Sequence, residues 1–150
     1  MKILLYTISK AKHTESIEMH YQKQCKQFGA EVIIEDVFTP HIHTAQKLSA
    51  QKAQLAYTQA FLPYLDSGLN VALHPKGREL DTLKFAKMLE GQIQVKFFIG
   101  GAFGFGEEFL QKTLPISLSR LTFGHKIARI VILEQIYRAL SIINNHPYHK

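Results

Sequence analysis

The chain has a single cysteine, Cys25, among its 150 residues. That excludes a disulfide framework and any zinc site built from several of its own cysteines, and it suits a reducing compartment. Long apolar runs are missing too: no stretch approaches the ~20 residues that span a bilayer. The opening run at 2–8, KILLYTI, stops at the polar Ser9-Lys10-Ala11-Lys12, too early for the core of a secretory signal. The expected location is therefore the cytoplasm. No linker, repeat or low-complexity segment interrupts the chain, so residues 1–150 are expected to form one domain. Acidic side chains are in deficit: twelve Asp and Glu against eighteen Lys and Arg leave a formal charge of +6. Such an excess favours polyanionic partners, because phosphate contacts release counterions. A merely solvated basic surface has the same composition.

What is present is an alternation of apolar, β-rich runs with helix-period segments. Residues 2–8, 31–38, 69–74, 93–99 and 115–122 read as strands. Between them, Ile17, Tyr21, Cys25 and Phe28 recur at helical spacing up to Gly29. An amphipathic helix is expected over 44–65, with Pro63 disturbing its last turns. Further helices are expected over 80–90, 106–113 and 125–144. The third strand should close at Pro75-Lys76-Gly77. Strict alternation predicts an α/β domain, a mostly parallel sheet with helices on both faces. Ligands of such sheets bind beyond the carboxyl ends of the strands, here 74–77, 100–106 and 119–125. The last helix is apolar on more than one face, carrying Ile127, Ile130, Val131, Ile132, Leu133, Ile136 and Leu140. A helix of that kind must be buried all round, and in so small a domain a second subunit is the simplest cover. A homodimer is expected.

Three segments could carry chemistry. The first is Gly100-Gly101-Ala102-Phe103-Gly104-Phe105-Gly106, a glycine-rich turn directly after a strand, where a ligand can approach the backbone. It has neither the GxxxxGK[ST] spacing of a phosphate loop nor a dinucleotide GxGxxG entering a helix. The second is Ser119-Arg120-Leu121-Thr122-Phe123-Gly124-His125, which leads into the last helix and offers free N–H groups; Thr122 could equally be an ordinary helix cap. The third is the terminal Asn145-His146-Pro147-Tyr148-His149-Lys150, which combines acid–base, hydrogen-bonding and cationic groups. His146 and His149 have no third partner at metal-ligand spacing, and His41-x-His43 does not supply one, so no metal is expected.

At these segments the chain resembles the bacterial ribosomal RNA large subunit methyltransferase H family. Its hallmarks are an IGG-type loop after a strand, an LT…H segment before a final helix, and a terminal NHPYH. Here they read Ile99-Gly100-Gly101, Leu121-Thr122-Phe123-Gly124-His125 and Asn145-His146-Pro147-Tyr148-His149. Glu134, Tyr137, Arg138, Ala139 and Ser141 are similar to the family's E..YRA.SI pattern. The family usually has GGPEG where this chain has Gly100-Gly101-Ala102-Phe103-Gly104, and LPHP where it has Phe123-Gly124-His125-Lys126.

The resemblance implies a SPOUT fold with a carboxyl-terminal trefoil knot, a homodimer, and methylation by S-adenosylmethionine of N3 of a pseudouridine in 23S rRNA of the assembled ribosome. It implies cofactor contacts from Leu73, Gly100, Gly101, Ser119, Arg120, Leu121, Thr122, Phe123 and Gly124. Base contact and catalysis fall to Tyr148 and His149. Arg138 would stabilise negative charge, unless it is simply the i,i+4 ion-pair partner of Glu134. His125, Arg129, His146 and Lys150 are candidate substrate contacts. A non-catalytic RNA- or ribosome-binding factor, and a SPOUT methyltransferase acting on transfer RNA, are the alternatives.

Overall fold

In the computed structural model, which describes residues 1–10 and 13–150, five strands form one all-parallel sheet. They are β1 (Lys2–Ile8), β2 (Glu31–Val37), β3 (Leu69–Glu79), β4 (Gln94–Ile99) and β5 (Leu114–Ser117), in the order β2-β1-β4-β3-β5. Successive side chains point to opposite faces of a strand, and here both faces are apolar. Ile3, Leu5, Val71, Val95 and Phe97 enter one core, and Tyr6, Ile8, Ala72 and Phe98 the other. Helices α1 (Ser16–Lys26), α4 (Thr82–Leu89) and α6 (His125–Ile143) cover the first face. Helices α2 (Pro40–Gln46), α3 (Ala50–Phe61) and α5 (Glu107–Gln111) cover the second. The expected alternating α/β architecture is the one observed.

Three boundaries differ from the sequence reading. The helix expected over 44–65 is two helices, because Thr39 and Ser49 each cap a start. Their hydroxyls accept from the N–H of Ile42 and of Lys52, both at 3.1 Å. Pro63 then falls in a 3-10 turn at Leu62–Tyr64. β3 does not close at Pro75-Lys76-Gly77 but runs on to Glu79 through a bulge, so that Ile116 of β5 pairs with both Leu73 and Arg78. Gly77 permits this: a Cβ there would lie 2.7 Å from Ile116 backbone atoms. β5 ends at Ser117 instead of reaching 122. The Ser117 hydroxyl donates to the Ser119 carbonyl at 2.8 Å, and the Leu121 N–H donates to Ser119 Oγ at 3.0 Å. Such local bonds compete with a ladder.

The covering of α6 also differs. Ala128, Ile132, Leu133, Ile136, Ala139 and Leu140 are buried within their own chain, since α6 lies against α1, α4 and β4. Two helices and a sheet supply most of the cover, so the apolar breadth of α6 does not by itself require a second subunit. Ile127 at its start is the exception, with 53% of its surface exposed. At its end, Asn145 adopts φ 54° while its N–H donates to Ile142 O and that of His146 to Ser141 O. This is a Schellman stop, which turns the terminal residues back along the helix.

Cys25 sits in the first core with no exposed surface, and burial pushes its thiol up to about 12. It should not react with iodoacetamide at neutral pH until the protein unfolds, because the thiolate is the nucleophile. Alkylation followed by mass spectrometry therefore reports the folded fraction of any variant; rapid labelling of the native protein would contradict this packing.

Candidate active site

β1, β4, β3 and β5 end on the same edge of the sheet and open onto a cleft of about 1030 Å³. Its floor is the turn 100–104. Gly104 takes φ 66°, and its N–H donates to Gly101 O at 3.0 Å. Gln54 of α3 holds the turn from outside, its Nε2 donating to Phe103 O at 2.9 Å. Gly101 is a glycine for a packing reason: a Cβ would stand 2.5 Å from Cζ and Oη of Tyr57, which is fully buried and donates to Gln46 Oε1 at 2.7 Å. Loss of ligand binding on enlarging Gly101 would therefore mix site and fold. Gly124 is the opposite case. Its φ of −59° suits any residue, and nothing lies within 4 Å of a Cβ placed there. An added Cβ there would strike nothing in the chain itself, at a residue that lines the cleft.

Leu73, Gly100, Gly101, Ser119, Leu121, Thr122, Phe123, Gly124 and His125 all line the cleft, so the two loops singled out in the sequence do converge. Arg120 does not line it; it turns outward, where its Nε donates to Glu79 Oε1 at 2.9 Å between exposed side chains. Thr122 is not the helix cap, a position held by Gly124 without a side-chain bond. Arg129, expected to meet substrate or developing charge, is enclosed instead. Only 3% of its side chain is exposed; Nε lies 2.7 Å from Glu18 Oε1, and Nη1 donates to Asp36 Oδ1 at 2.6 Å. Its charge is used in tying α6 to α1 and β2. Burial raises the Asp36 carboxyl above its ordinary range although Arg129 opposes the shift.

The carboxyl-terminal residues form a second group. Arg138 donates twice to Glu134 Oε1, from Nε at 2.9 Å and Nη2 at 2.6 Å, and the Tyr148 hydroxyl donates to the same oxygen at 3.1 Å. The i,i+4 pair is thus formed, and it also carries Tyr148, whose ring packs 4.7 Å beneath the guanidinium. The Glu134 hydrogen bond raises Arg138, and burial followed by the bond to Glu134 raises Tyr148, so both keep their protons. Arg138 Nη1 lies 3.4 Å from His149 Nδ1. A guanidinium can only donate, so this contact requires an unprotonated Nδ1. His146 packs edge-on to Phe28 of the loop after α1. None of these residues, nor Lys150, lines the cleft. The cleft touches the first turn of α6 up to Ala128, whereas the tail folds back along the helix to Glu134 and Arg138.

Residues 1–149 match the family described as Predicted SPOUT methyltransferase. This chain belongs to the SPOUT methyltransferase family. It is 50% identical over 151 residues to a Helicobacter acinonychis protein, 51% over 154 residues to one from Helicobacter hepaticus, and 49% over 151 residues to one from Helicobacter pylori strain Shi470. Each carries the name ribosomal RNA large subunit methyltransferase H, and each alignment covers all of both chains.

A SPOUT methyltransferase requires a methyl donor, and the cleft is where this chain can hold one. Between the two loops its walls are glycine-rich loop backbone, with Leu73, Leu118 and Phe123 as apolar surface. They suit a heteroaromatic ring held by backbone N–H and C=O groups. Among the described residues, no group of three or more His, Cys, Asp and Glu is placed to hold a metal ion, and no helix is long and apolar enough to cross a membrane. Sequence reasoning missed one wall of the cleft: Ser9 and Lys10 after β1, Phe38, and Gln46. His74 falls in the segment 74–77 that the strand-end rule pointed to, though it was not singled out as a residue; its Nδ1 accepts the Lys76 N–H at 3.1 Å, and its pKa is lowered by burial and then by Lys76. The position of His74 at the end of an apolar strand was the available signal.

Proposed function

We propose that this SPOUT methyltransferase uses S-adenosylmethionine to methylate N3 of a pseudouridine in 23S rRNA within the assembled ribosome. The observation that carries this reading is a backbone-lined cleft at the strand ends in a chain about half identical, end to end, to proteins named for large-subunit rRNA methylation. A non-catalytic RNA-binding factor would have no use for such a donor cleft. A transfer-RNA enzyme is disfavoured by the terminal Asn145-His146-Pro147-Tyr148-His149, which belongs to the large-subunit family's pattern. The carboxyl-terminal segment is read as the trefoil knot of the SPOUT fold.

Backbone groups of Gly100, Ser119, Leu121 and Phe123 would hold the donor's adenine and ribose, and Leu73 its apolar edge. When bound, S-adenosylmethionine supplies an electrophilic methyl group. Pseudouridine N3 bears a proton, which must pass to solvent water before or as the N3–methyl bond forms and the methyl–sulfur bond breaks with its electron pair left on sulfur. The negative charge that the imide carries until then spreads onto the flanking carbonyl oxygens. His149, with Nδ1 held by Arg138, presents Nε2–H outward and can donate to such an oxygen. Arg138 stabilises the charge behind it, and Glu134 with Tyr148 fixes the guanidinium. Because the tail of a chain does not line that chain's own cleft, the site is read as composite, with the tail of one protomer of a homodimer completing the cleft of its partner. His125 at the cleft, and His146 and Lys150 in the tail, remain the proposed substrate contacts.

Gly124→Val tests the donor site. The variant should lose about 1 kcal/mol of stability, because valine is a poor residue at the N-cap position that Gly124 holds, and it should stay folded. Its affinity for S-adenosylmethionine by calorimetry should fall at least tenfold, a loss of about 1.4 kcal/mol. Unchanged affinity would remove the loop from the donor site. Mass mapping of 23S rRNA from cells lacking the protein should reveal an unmethylated pseudouridine; a fully methylated large subunit would overturn the assignment of substrate.

A further inference from the structure

Charge in the cleft is one-sided. Its lining includes Lys10, Lys76 and Lys126, with His74 and His125, and not one carboxylate. Of the three lysines, Lys126 has Glu15 at 4.0 Å, while Lys10 and Lys76 form no ion pair among the described residues. Lys10 follows β1 and Lys76 lies beyond Leu73 of β3, and β4 with its glycine turn runs between those two strands. The two residues therefore stand on either side of the floor of the cleft, Lys10 just past β1 and Lys76 on β3, strands about 10 Å apart.

The side at Lys10 is more basic still. Its Nζ stands 5.0 Å over the Phe38 ring, and His43 of α2 meets the same ring edge-on at 6.2 Å. Lys47, the α2 cap residue, comes one turn after His43. The His43 imidazole is held below its ordinary range, first by Lys47 and then by Lys10, so the three basic groups feel one another. The donor carries a net positive charge, since its sulfonium and ammonium outweigh its one carboxylate, so it can use at most one of these lysines. A polyanion can use all of them.

We propose that Lys10 and Lys76, reinforced by Lys47, grip the phosphodiester backbone of the RNA strand that carries the target nucleotide, on either side of the glycine turn. This assignment rests on the reading of the cleft as an RNA methyltransferase site and adds which of its residues hold the substrate strand. Phe38, half-buried between Lys10 and His43, offers a ring face at the same wall on which a flanking base can stack.

The test compares the full-length protein with Lys10→Gln/Lys76→Gln and with Lys10→Gln/Lys47→Gln/Lys76→Gln. Lys23→Gln on the exposed face of α1 serves as control. Binding to isolated large ribosomal subunits is measured over a range of potassium chloride concentrations, with calorimetry of S-adenosylmethionine alongside. Each lysine that holds a phosphate should lower the slope of log K against log salt by roughly 0.7–0.9. The double variant should therefore lose about 1.5 from the slope and at least tenfold in affinity at low salt, with donor affinity and the Lys23→Gln control unmoved. Weaker binding with an unchanged salt slope would mean a non-phosphate partner and would overturn the proposal, as would unchanged binding. Subunit binding is scored without turnover. A parent protein that binds subunits with the expected lysine-dependent slope but transfers no methyl group would sink the enzymatic reading and leave the phosphate grip standing.

Discussion

Removing Tyr148, His149 and Lys150 should abolish methyl transfer while leaving S-adenosylmethionine binding nearly intact. The donor's proposed contacts come from the loops that line the cleft of one chain, and the truncation leaves those loops in place. What is lost is the group poised by Glu134 and Arg138 to meet the base. Removing one such charge-stabilising donor lowers kcat on the order of 10²–10³, and the truncation removes His149 together with its packing partner Tyr148. Calorimetry showing donor affinity lost in the truncated protein would contradict this division of labour.

The same truncation tests whether the site is shared. A Gly124→Val chain has a blocked cleft and an intact tail, and the truncated chain has the reverse. Co-expressed, they form mixed dimers in which one of two sites is whole. Statistical mixing of such a two-fold assembly should return roughly a quarter of the parent activity, although neither homodimer is active. A mixture as inactive as its parts would mean that tail and cleft do not meet across protomers.

Arg129→Met should be among the most destabilising single substitutions outside the apolar cores. It leaves Glu18 and Asp36, both nearly sealed from solvent, without their shared cation. Breaking a buried pair in this way costs about 3–5 kcal/mol, which for a domain of this size lowers Tm by roughly 10 °C. The triple variant Glu18→Gln/Asp36→Asn/Arg129→Met should regain much of that loss, since uncharged partners need no compensation. The deficit of the single variant should also depend on pH. The Asp36 carboxyl already lies above its ordinary range through burial, and loss of Arg129 removes the main influence holding it down. A folded state that holds its proton more tightly than the unfolded chain gains stability as pH falls through the raised pKa. The deficit should therefore be largest at neutral pH and shrink toward the ordinary carboxylate range. A deficit independent of pH, or a stability change below 1 kcal/mol, would show that the cluster contributes only packing.

The structure and the sequence agree where a local pattern has only one physical outcome. Apolar runs such as KILLYTI and IQVKFFI put apolar residues on both faces of a strand and can be buried only in a sheet covered on both sides. The glycine turn after β4 and the loop before α6 could likewise be recognised as converging, since strand ends of a parallel sheet share one edge. The family was legible for a different reason, the match of three spaced motifs.

Where the sequence misled, the deciding term was a contact between distant residues. Arg129 lies one turn from the candidate loop and reads as a free cation; only folding brings Glu18 and Asp36 onto it. Gly101 reads as an opening for a ligand, yet Tyr57 of α3, far away in the chain, is what a side chain there would strike. The apolar breadth of α6 reads as a subunit interface, whereas α1 and α4 close on it from two sides. The basic wall of Lys10, Phe38, His43 and Lys47 joins the end of β1 to a helix beyond β2, and no window of sequence contains it. Local periodicity thus determined the strands, the helices and the edge where a ligand sits. Burial and charge pairing, which depend on approach through space, decided which polar groups remain free to act there.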